Sequence, residues 1–172
     1  MKTTRVTISA GLVGLALLFN GCANYQVGST LPAHLKTVYM PVVENRTAEP
    51  LLEVEVSRAL LGALQQDGTL RLAENAESAD AVLRVTVHQF RLTPIAFRRE
   101  RTTQTTDYRL TLLASYVFTE RATGKVISEY NGANGEVDIA LSGDLFSTKQ
   151  AAMPRAAEDL ARDIVKRVVE SW

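Results

Sequence analysis

The sequence predicts an α+β fold in which two helices pack on one face of a mixed, mostly antiparallel sheet of four to five strands. Two segments have apolar residues at helical spacing, a run of alternating segments lies between them, and the predicted element order is β-α-β-β-β-β-α. Two helices are too few to cover both faces of a sheet, so we expect one face to stay open.

The first predicted strand is residues 37–43, which are mostly β-branched or aromatic. Pro41 within it indicates an edge, a bulge or the end of the strand, because proline cannot donate to a strand ladder. Residues 44–49 are polar and predict a turn. A short strand is predicted around residues 70–72, after the first helix.

Two helices are predicted, at about residues 50–66 and 147–170. Pro50 suits the first turn of the first helix, and Gly68 suits a left-handed cap after its end. Pro154 must lie in the first turn of the second helix or kink it. Each helix has one apolar stripe, which consists of Leu52, Val56, Ala59, Leu60, Ala63 and Leu64 in the first and of Met153, Ala157, Leu160, Ile164, Val165 and Val168 in the second.

A meander of three longer strands is predicted between the helices, with a tight turn at Thr123-Gly124. Two Asn-Gly pairs between residues 131 and 135 predict a bulge or bend in the last strand. The buried face is predicted to contain Leu83, Val85, Val87, Tyr108, Leu110, Leu112, Ala114, Tyr116 and Phe118. The open face of the central strand is predicted to contain Arg109, Thr111, Leu113, Ser115 and Val117.

The N-terminus has the three-part pattern of a secretory signal peptide. Lys2 and Arg5 precede an apolar run at residues 11–19, and Gly21 precedes Cys22, the only cysteine. The run is too short to span about 30 Å of hydrocarbon. The segment Phe19-Asn20-Gly21-Cys22 at the end of the run resembles the lipobox of bacterial lipoproteins. In a lipobox the cysteine sulfur receives a diacylglycerol, the signal is cut before the cysteine, and the new amino group is acylated. Ordinary signal cleavage near an incidental cysteine is the alternative.

These features divide the chain into a lipoprotein signal peptide at residues 1–21, a lipidated arm at 22–36 and a single α+β domain at 37–172. Ala23, directly after Cys22, resembles the sorting signal for the outer membrane, so we expect lipid anchoring on its periplasmic face. Removal of residues 1–21 leaves a net charge of −2, because two of 19 basic side chains and none of 19 acidic ones are lost. A nucleic-acid partner is not expected without a basic excess.

No catalytic or metal-binding set is recognisable in the sequence, and we predict a protein that is not an enzyme. His34 lies in the arm, and His88 lies on the polar side of a strand, where an exposed structural role is expected. Cys/His metal spacing, a nucleophile elbow and a phosphate loop are all absent from the sequence. No cofactor is expected other than the covalent diacylglycerol and N-acyl lipid on Cys22.

A basic segment begins the connection between two long predicted strands. Arg98, Arg99 and Arg101 lie in it, and a threonine-rich stretch follows. A solvated loop is one interpretation. The other is a contact for anionic groups, since guanidinium groups bind phosphates through two parallel hydrogen bonds. In the outer envelope, lipopolysaccharide (LPS) is the abundant source of phosphates.

Several short motifs together resemble the LPS-assembly lipoprotein family of the LptE type. They are the cysteine followed by Tyr25-Gln26-Val27-Gly28-Ser29, the strand and turn from Val38 to Asn45-Arg46-Thr47, and Ala79-Asp80-Ala81-Val82-Leu83 at the start of the meander. Their order and spacing span nearly the whole mature chain.

The resemblance implies an outer-membrane lipoprotein that plugs and helps to assemble the LPS-translocon β-barrel, of the LptD type, and assists LPS delivery to the cell surface. The implied partners are that barrel, LPS and the membrane. Arg98, Arg99 and Arg101 would then contact LPS phosphates or acidic residues of the barrel wall.

The alternative is an envelope lipoprotein that regulates peptidoglycan synthesis or builds a secretion pore. Such proteins usually have a longer linker after the lipid. Residues 23–36 of this chain span at most about 50 Å when extended, which favours a partner in or near the membrane.

Overall fold

The computed structural model describes residues 31–97, 105–141 and 143–170 of the chain. Its elements in chain order are β1 (Thr37–Tyr39), β2 (Glu44–Asn45), α1 (Leu52–Asp67), β3 (Arg71–Leu72), β4 (Ala81–Phe97), β5 (Thr105–Glu120), β6 (Val126–Ala140) and α2 (Leu145–Glu170).

The strands form one mixed sheet in the order β3-β1-β4-β5-β6. Strand β2 pairs with the same edge of β4 as β1, a few residues farther along β4. The short strands β1, β2 and β3 make parallel pairs, whereas β4, β5 and β6 form an antiparallel meander. The predicted α+β class is confirmed. The sheet has six strands rather than four to five, because Glu44 and Asn45, predicted as a turn, pair with Thr86 and Val87 of β4.

Helix α1 begins two residues later than predicted. Pro50 precedes the helix, and Leu51 has a left-handed φ of 64° at the N-cap. The helix buries four residues one turn apart, Leu52, Val56, Leu60 and Leu64. Gly68 ends it with a φ of 73°, and its N–H donates to the carbonyl of Leu64 at 3.1 Å, which confirms the predicted left-handed cap.

Helix α2 begins at Leu145, two residues earlier than predicted, and Pro154 lies inside it rather than in its first turn. Its buried stripe contains every predicted residue together with four more, Ala152, Ala156, Ala161 and Val169. The alanines on this stripe let the helix approach the sheet closely. A Cβ at Gly135 of β6 would lie 2.5 Å from the backbone nitrogen of Leu160, so only glycine fits there.

Strand β4 contains a bulge at His88 that the sequence analysis did not predict. Val87 is opposite Ala114, but Gln89 is opposite Leu113, so one residue of β4 is extra. Because an extra residue reverses which side chains face which side, the residues on the helix face change from Val85 and Val87 to Phe90 and Leu92.

The predicted bulge in β6 is confirmed at its first Asn-Gly pair. Ala114 and Tyr116 of β5 are opposite Ala133 and Tyr130, so β6 has one extra residue between them.

Candidate partner-binding surfaces

The open face of the sheet is largely polar, and three of its charged groups, Arg109, Glu136 and Asp138, are paired with one another. The guanidinium of Arg109 donates to both carboxylate oxygens of Asp138, at 2.7 and 2.9 Å, and lies 3.9 Å from Glu136. These donors lower the pKa of the Asp138 carboxyl. At the bulge, His88 Nε2 lies 2.6 Å from the hydroxyl oxygen of Ser115. This face therefore resembles a hydrated surface more than an apolar docking site.

The Asn-x-Thr motif forms a turn that positions helix α1. The side-chain oxygen of Asn45 accepts hydrogen bonds from the N–H of Thr47 at 2.9 Å and from its hydroxyl at 2.8 Å. The Asn45 amide nitrogen donates to the carbonyl of Glu49 and to the carboxylate of Glu53, both at 2.8 Å. A structural role therefore explains this motif.

The Ala-Asp motif before β4 holds the end of the N-terminal arm against the sheet. Asp80 Oδ2 accepts hydrogen bonds from the N–H of Lys36 at 2.9 Å, the N–H of Thr37 at 2.9 Å and the Thr37 hydroxyl at 2.8 Å. The Lys36 N–H, followed by the Thr37 hydroxyl, lowers the pKa of Asp80. The carboxylate thus fixes where the arm leaves the domain.

The structure explains both histidines without a ligand. His34 Nε2 lies 2.7 Å from Glu120 Oε1, and His88 contacts Ser115 as described above. Among the described residues there is no group of three or more His, Cys, Asp or Glu side chains that could hold a metal ion.

The four predicted site residues, Cys22, Arg98, Arg99 and Arg101, lie outside the described residues, as do Ala23 and the motif at residues 25–29. The two strands on either side of the arginine segment are described. These two strands are paired along their whole length, from Ala81 opposite Glu120 at one end to Phe97 opposite Thr105 at the other. Residues 98–104 therefore connect β4 and β5 beyond the Phe97–Thr105 pair.

Sequence reasoning missed an ion pair that joins the start of α2 to the loop before α1. Lys149 Nζ lies 2.7 and 2.9 Å from the two carboxylate oxygens of Glu49, and the side chains are only 19% and 10% exposed. The same ammonium lies 5.6 Å from the ring centre of Phe90 and 5.5 Å from that of Phe146. The partners are 100 residues apart in sequence, so no local pattern could reveal the pair.

None of the helices in the described part of the chain is long and apolar enough to cross a membrane.

Comparison with known proteins identifies the family. Residues 35–168 match the family model of the lipopolysaccharide-assembly proteins LptE. No curated protein sequence matches the chain.

Two solved structures are similar in fold. Protein XCC0632 from Xanthomonas campestris has 10% sequence identity and a TM-score of 0.56, over 82% of this chain and 90% of that one. A predicted lipoprotein from Caulobacter crescentus CB15 has 14% identity and a TM-score of 0.52, over 78% of this chain and 89% of that one. At such identities the likeness shows the fold alone. The family match covers most of the chain, and the protein belongs to the LptE family of lipopolysaccharide-assembly proteins.

Proposed function

We propose that this protein is an outer-membrane lipoprotein, anchored through Cys22, that plugs and helps to assemble the β-barrel of the LPS translocon and assists LPS delivery. Membership of the LPS-assembly family supports the general role. On this proposal the protein acts by binding and positioning, without catalysis. The barrel and LPS are its partners.

The length of the β4–β5 hairpin is the observation on which the proposal chiefly depends. Strand β4 has 17 residues and β5 has 16, whereas strands of 3–10 residues are usual. At about 3.3 Å per residue, β4 extends for about 50 Å. This length is comparable with the roughly 40–45 Å of a bilayer with its headgroups.

The two ends of the hairpin differ in what they connect to. The N-terminal arm meets the domain at Lys36, which is bound to Asp80 immediately before β4 begins. The segment with Arg98, Arg99 and Arg101 joins the strands at the opposite end. A lipid on Cys22 would hold the first end at the inner leaflet, and the arginine segment would then reach far along the barrel axis.

The polar open face supports the plug role. It contains the Arg109–Asp138 ion pair and, beside it, the Thr111–Glu136 contact at 3.5 Å. These groups can be hydrated, and they offer both hydrogen-bond donors and acceptors to a partner. The lumen of a transmembrane β-barrel is itself polar. A domain with this face could lie inside such a lumen without leaving a large apolar surface in contact with water.

We propose that Arg98, Arg99 and Arg101 bind the phosphates of LPS or acidic residues of the barrel wall. The test compares the wild-type protein with the triple variant R98A/R99A/R101A, purified from native outer membranes in mild detergent, by measuring the LPS and barrel recovered per mole. The matched control is R71A/R84A/R155A, which removes three exposed arginines with no ion pair in the described part of the chain.

We expect the first variant to retain at most about a fifth of the recovered LPS or barrel, because charge-assisted hydrogen bonds are the strong ones. The control should change neither quantity. Unchanged recovery of both in R98A/R99A/R101A would reject this role for the arginines.

A further inference from the structure

The outer edge of β4 loses its partner strand halfway along its length. The last bond from the β2 side is the one that the Arg46 N–H donates to the carbonyl of Val87, at 2.9 Å. After Asn45 the chain turns away through the Asn45–Thr47 hydrogen bonds. No strand in the described part of the chain pairs with this edge of β4 beyond Val87.

The ladder shows which backbone groups point outward beyond the bulge. On the other side of the sheet, the N–H groups of Asn134 and Glu136 donate to α2, so these residues point away from β5. By the alternation of an antiparallel ladder, β5 then bonds to β4 through its odd-numbered residues, whose partners are Gln89, Arg91 and Thr93. Phe90, Leu92 and Pro94 therefore direct their backbone groups toward the unpaired edge.

Pro94 limits the length of this edge. Proline has no N–H, so the edge offers the donors of Phe90 and Leu92 and the carbonyls of Phe90, Leu92 and Pro94. A second register shift follows between Pro94 and Ala96. The available edge therefore fits an extended segment of about five residues.

Charge indicates what kind of segment fits. Arg91 lies between Phe90 and Leu92 along the strand, and its side chain is exposed on the open face. It has no ion pair with any residue in the described ranges, whereas Arg109 on the next strand is paired with Asp138. Phe90 and Leu92 are half-buried on the opposite face. An added strand would meet a positive charge on one face and apolar side chains on the other.

A second copy of this chain fits poorly. Two-fold pairing of so short an edge would bring two Arg91 guanidinium groups onto the same face of the joined sheet within a residue or two of each other. Like charges on neighbouring strands are destabilising.

We infer that the edge of β4 at Phe90–Leu92 binds an extended segment of a partner protein in which apolar and acidic residues alternate, added to the sheet beyond β2, with an acidic residue next to Arg91. Main-chain hydrogen bonds would supply affinity and the alternate side chains specificity, as in other cases of strand addition. The inference does not depend on the LPS contact proposed above.

The test uses the full-length chain in its own outer membrane, with a photo-crosslinking residue at Gln89 or at Thr93, and maps the crosslinked peptides by mass spectrometry. The same residue at Thr111, on the same face but one strand inward, is the control. We expect crosslinks from both edge positions to converge on one short segment of one partner, in which acidic and apolar residues alternate. Crosslinks to a second copy, to residues 22–30 of the same chain, or no excess over Thr111 would overturn the inference.

Two substitutions test the chemistry of the contact. Arg91→Glu should lower the crosslink yield by about fivefold, and reversing the charge of the acidic residue in the mapped segment should restore it. Leu92→Pro should lower the yield similarly, because it removes an outward donor and leaves the bonds to β5 in place. Arg84→Glu, on the same strand and face, controls for net charge, and thermal unfolding checks that each variant folds. A yield that Arg91→Glu leaves unchanged in a folded protein would overturn the inference.

Discussion

Asp159 of helix α2 accepts a hydrogen bond from the backbone N–H of Glu136 in strand β6, with 3.0 Å between Oδ2 and N. One turn along the helix, Asp163 Oδ2 lies 3.3 Å from the N–H of Asn134. Four helical residues rise about 6 Å and two strand residues about 6.7 Å, so the two spacings match. The carboxylates thus occupy donors that an edge strand would otherwise present to another chain.

The first prediction concerns this protected edge. D159A/D163A should lose about 1–2 kcal/mol of unfolding free energy, a modest value because both carboxylates are partly exposed, and should self-associate more readily. Urea unfolding and size-exclusion chromatography measure the two effects. Glu158→Ala, an exposed neighbour, is the control. Equal stability and equal monomer content in D159A/D163A and E158A would contradict this account of the edge.

The second prediction concerns the close approach of α2 to β6. Gly135→Ala should destabilise the fold by about 3 kcal/mol, because the added Cβ would overlap the carbonyl oxygen of Ala156 and the backbone of Leu160. Gly62→Ala is the matched control, since its Cβ meets no atom within 4 Å, and alanine is the better helix former. Thermal and urea unfolding of both variants test this, and a G135A protein as stable as G62A would show that the packing is looser than described.

The third prediction concerns pH. The N–H of Lys36 lowers the pKa of Asp80, and the N–H of Glu136 lowers that of Asp159, from the ordinary 3.8. A carboxyl whose folded-state pKa is lowered stabilises the fold above its unfolded-state pKa, and this stabilisation is lost as pH falls through the folded-state pKa. Unfolding free energy should therefore fall below about pH 4, and Asp80→Asn should flatten that fall while lowering stability at pH 7. A D80N protein with the wild-type acid profile would contradict this.

The fourth prediction concerns the Glu49–Lys149 pair. Glu49→Ala should cost about 3 kcal/mol, because it leaves a mostly buried lysine side chain without its carboxylate partner. The double variant E49L/K149M should cost less than E49A, since it removes both charges and keeps the volume. A double-mutant cycle in urea measures the coupling. Strictly additive effects would mean that the two charges do not stabilise each other.

Periodicity was sufficient to predict the apolar stripes of both helices. Leu52, Val56, Leu60 and Leu64 recur every turn, and each is buried. The alternating segments of the meander were predictable for the same reason, because a sheet with one packed face requires alternation. The end of α1 was predictable from Gly68, because glycine adopts a positive φ without steric cost.

The features that were missed depend on contacts between distant parts of the chain. The bulge at His88 has no local signal, since neither glycine nor proline marks it, and it follows from how β4 fits against β5. Strand β2 forms from Glu44 and Asn45 only because β4 supplies the ladder. The Glu49–Lys149 pair likewise exists only in the folded chain.

Partner identification tests the central claim most directly. The protein is tagged after Trp172, extracted from native outer membranes in mild detergent and purified, and the stoichiometry of each co-purifying protein is measured. The proposal predicts the LPS-translocon β-barrel at one copy per copy of this protein, together with LPS. Recovery of a cell-wall synthase or a secretion ring in place of that barrel would contradict it.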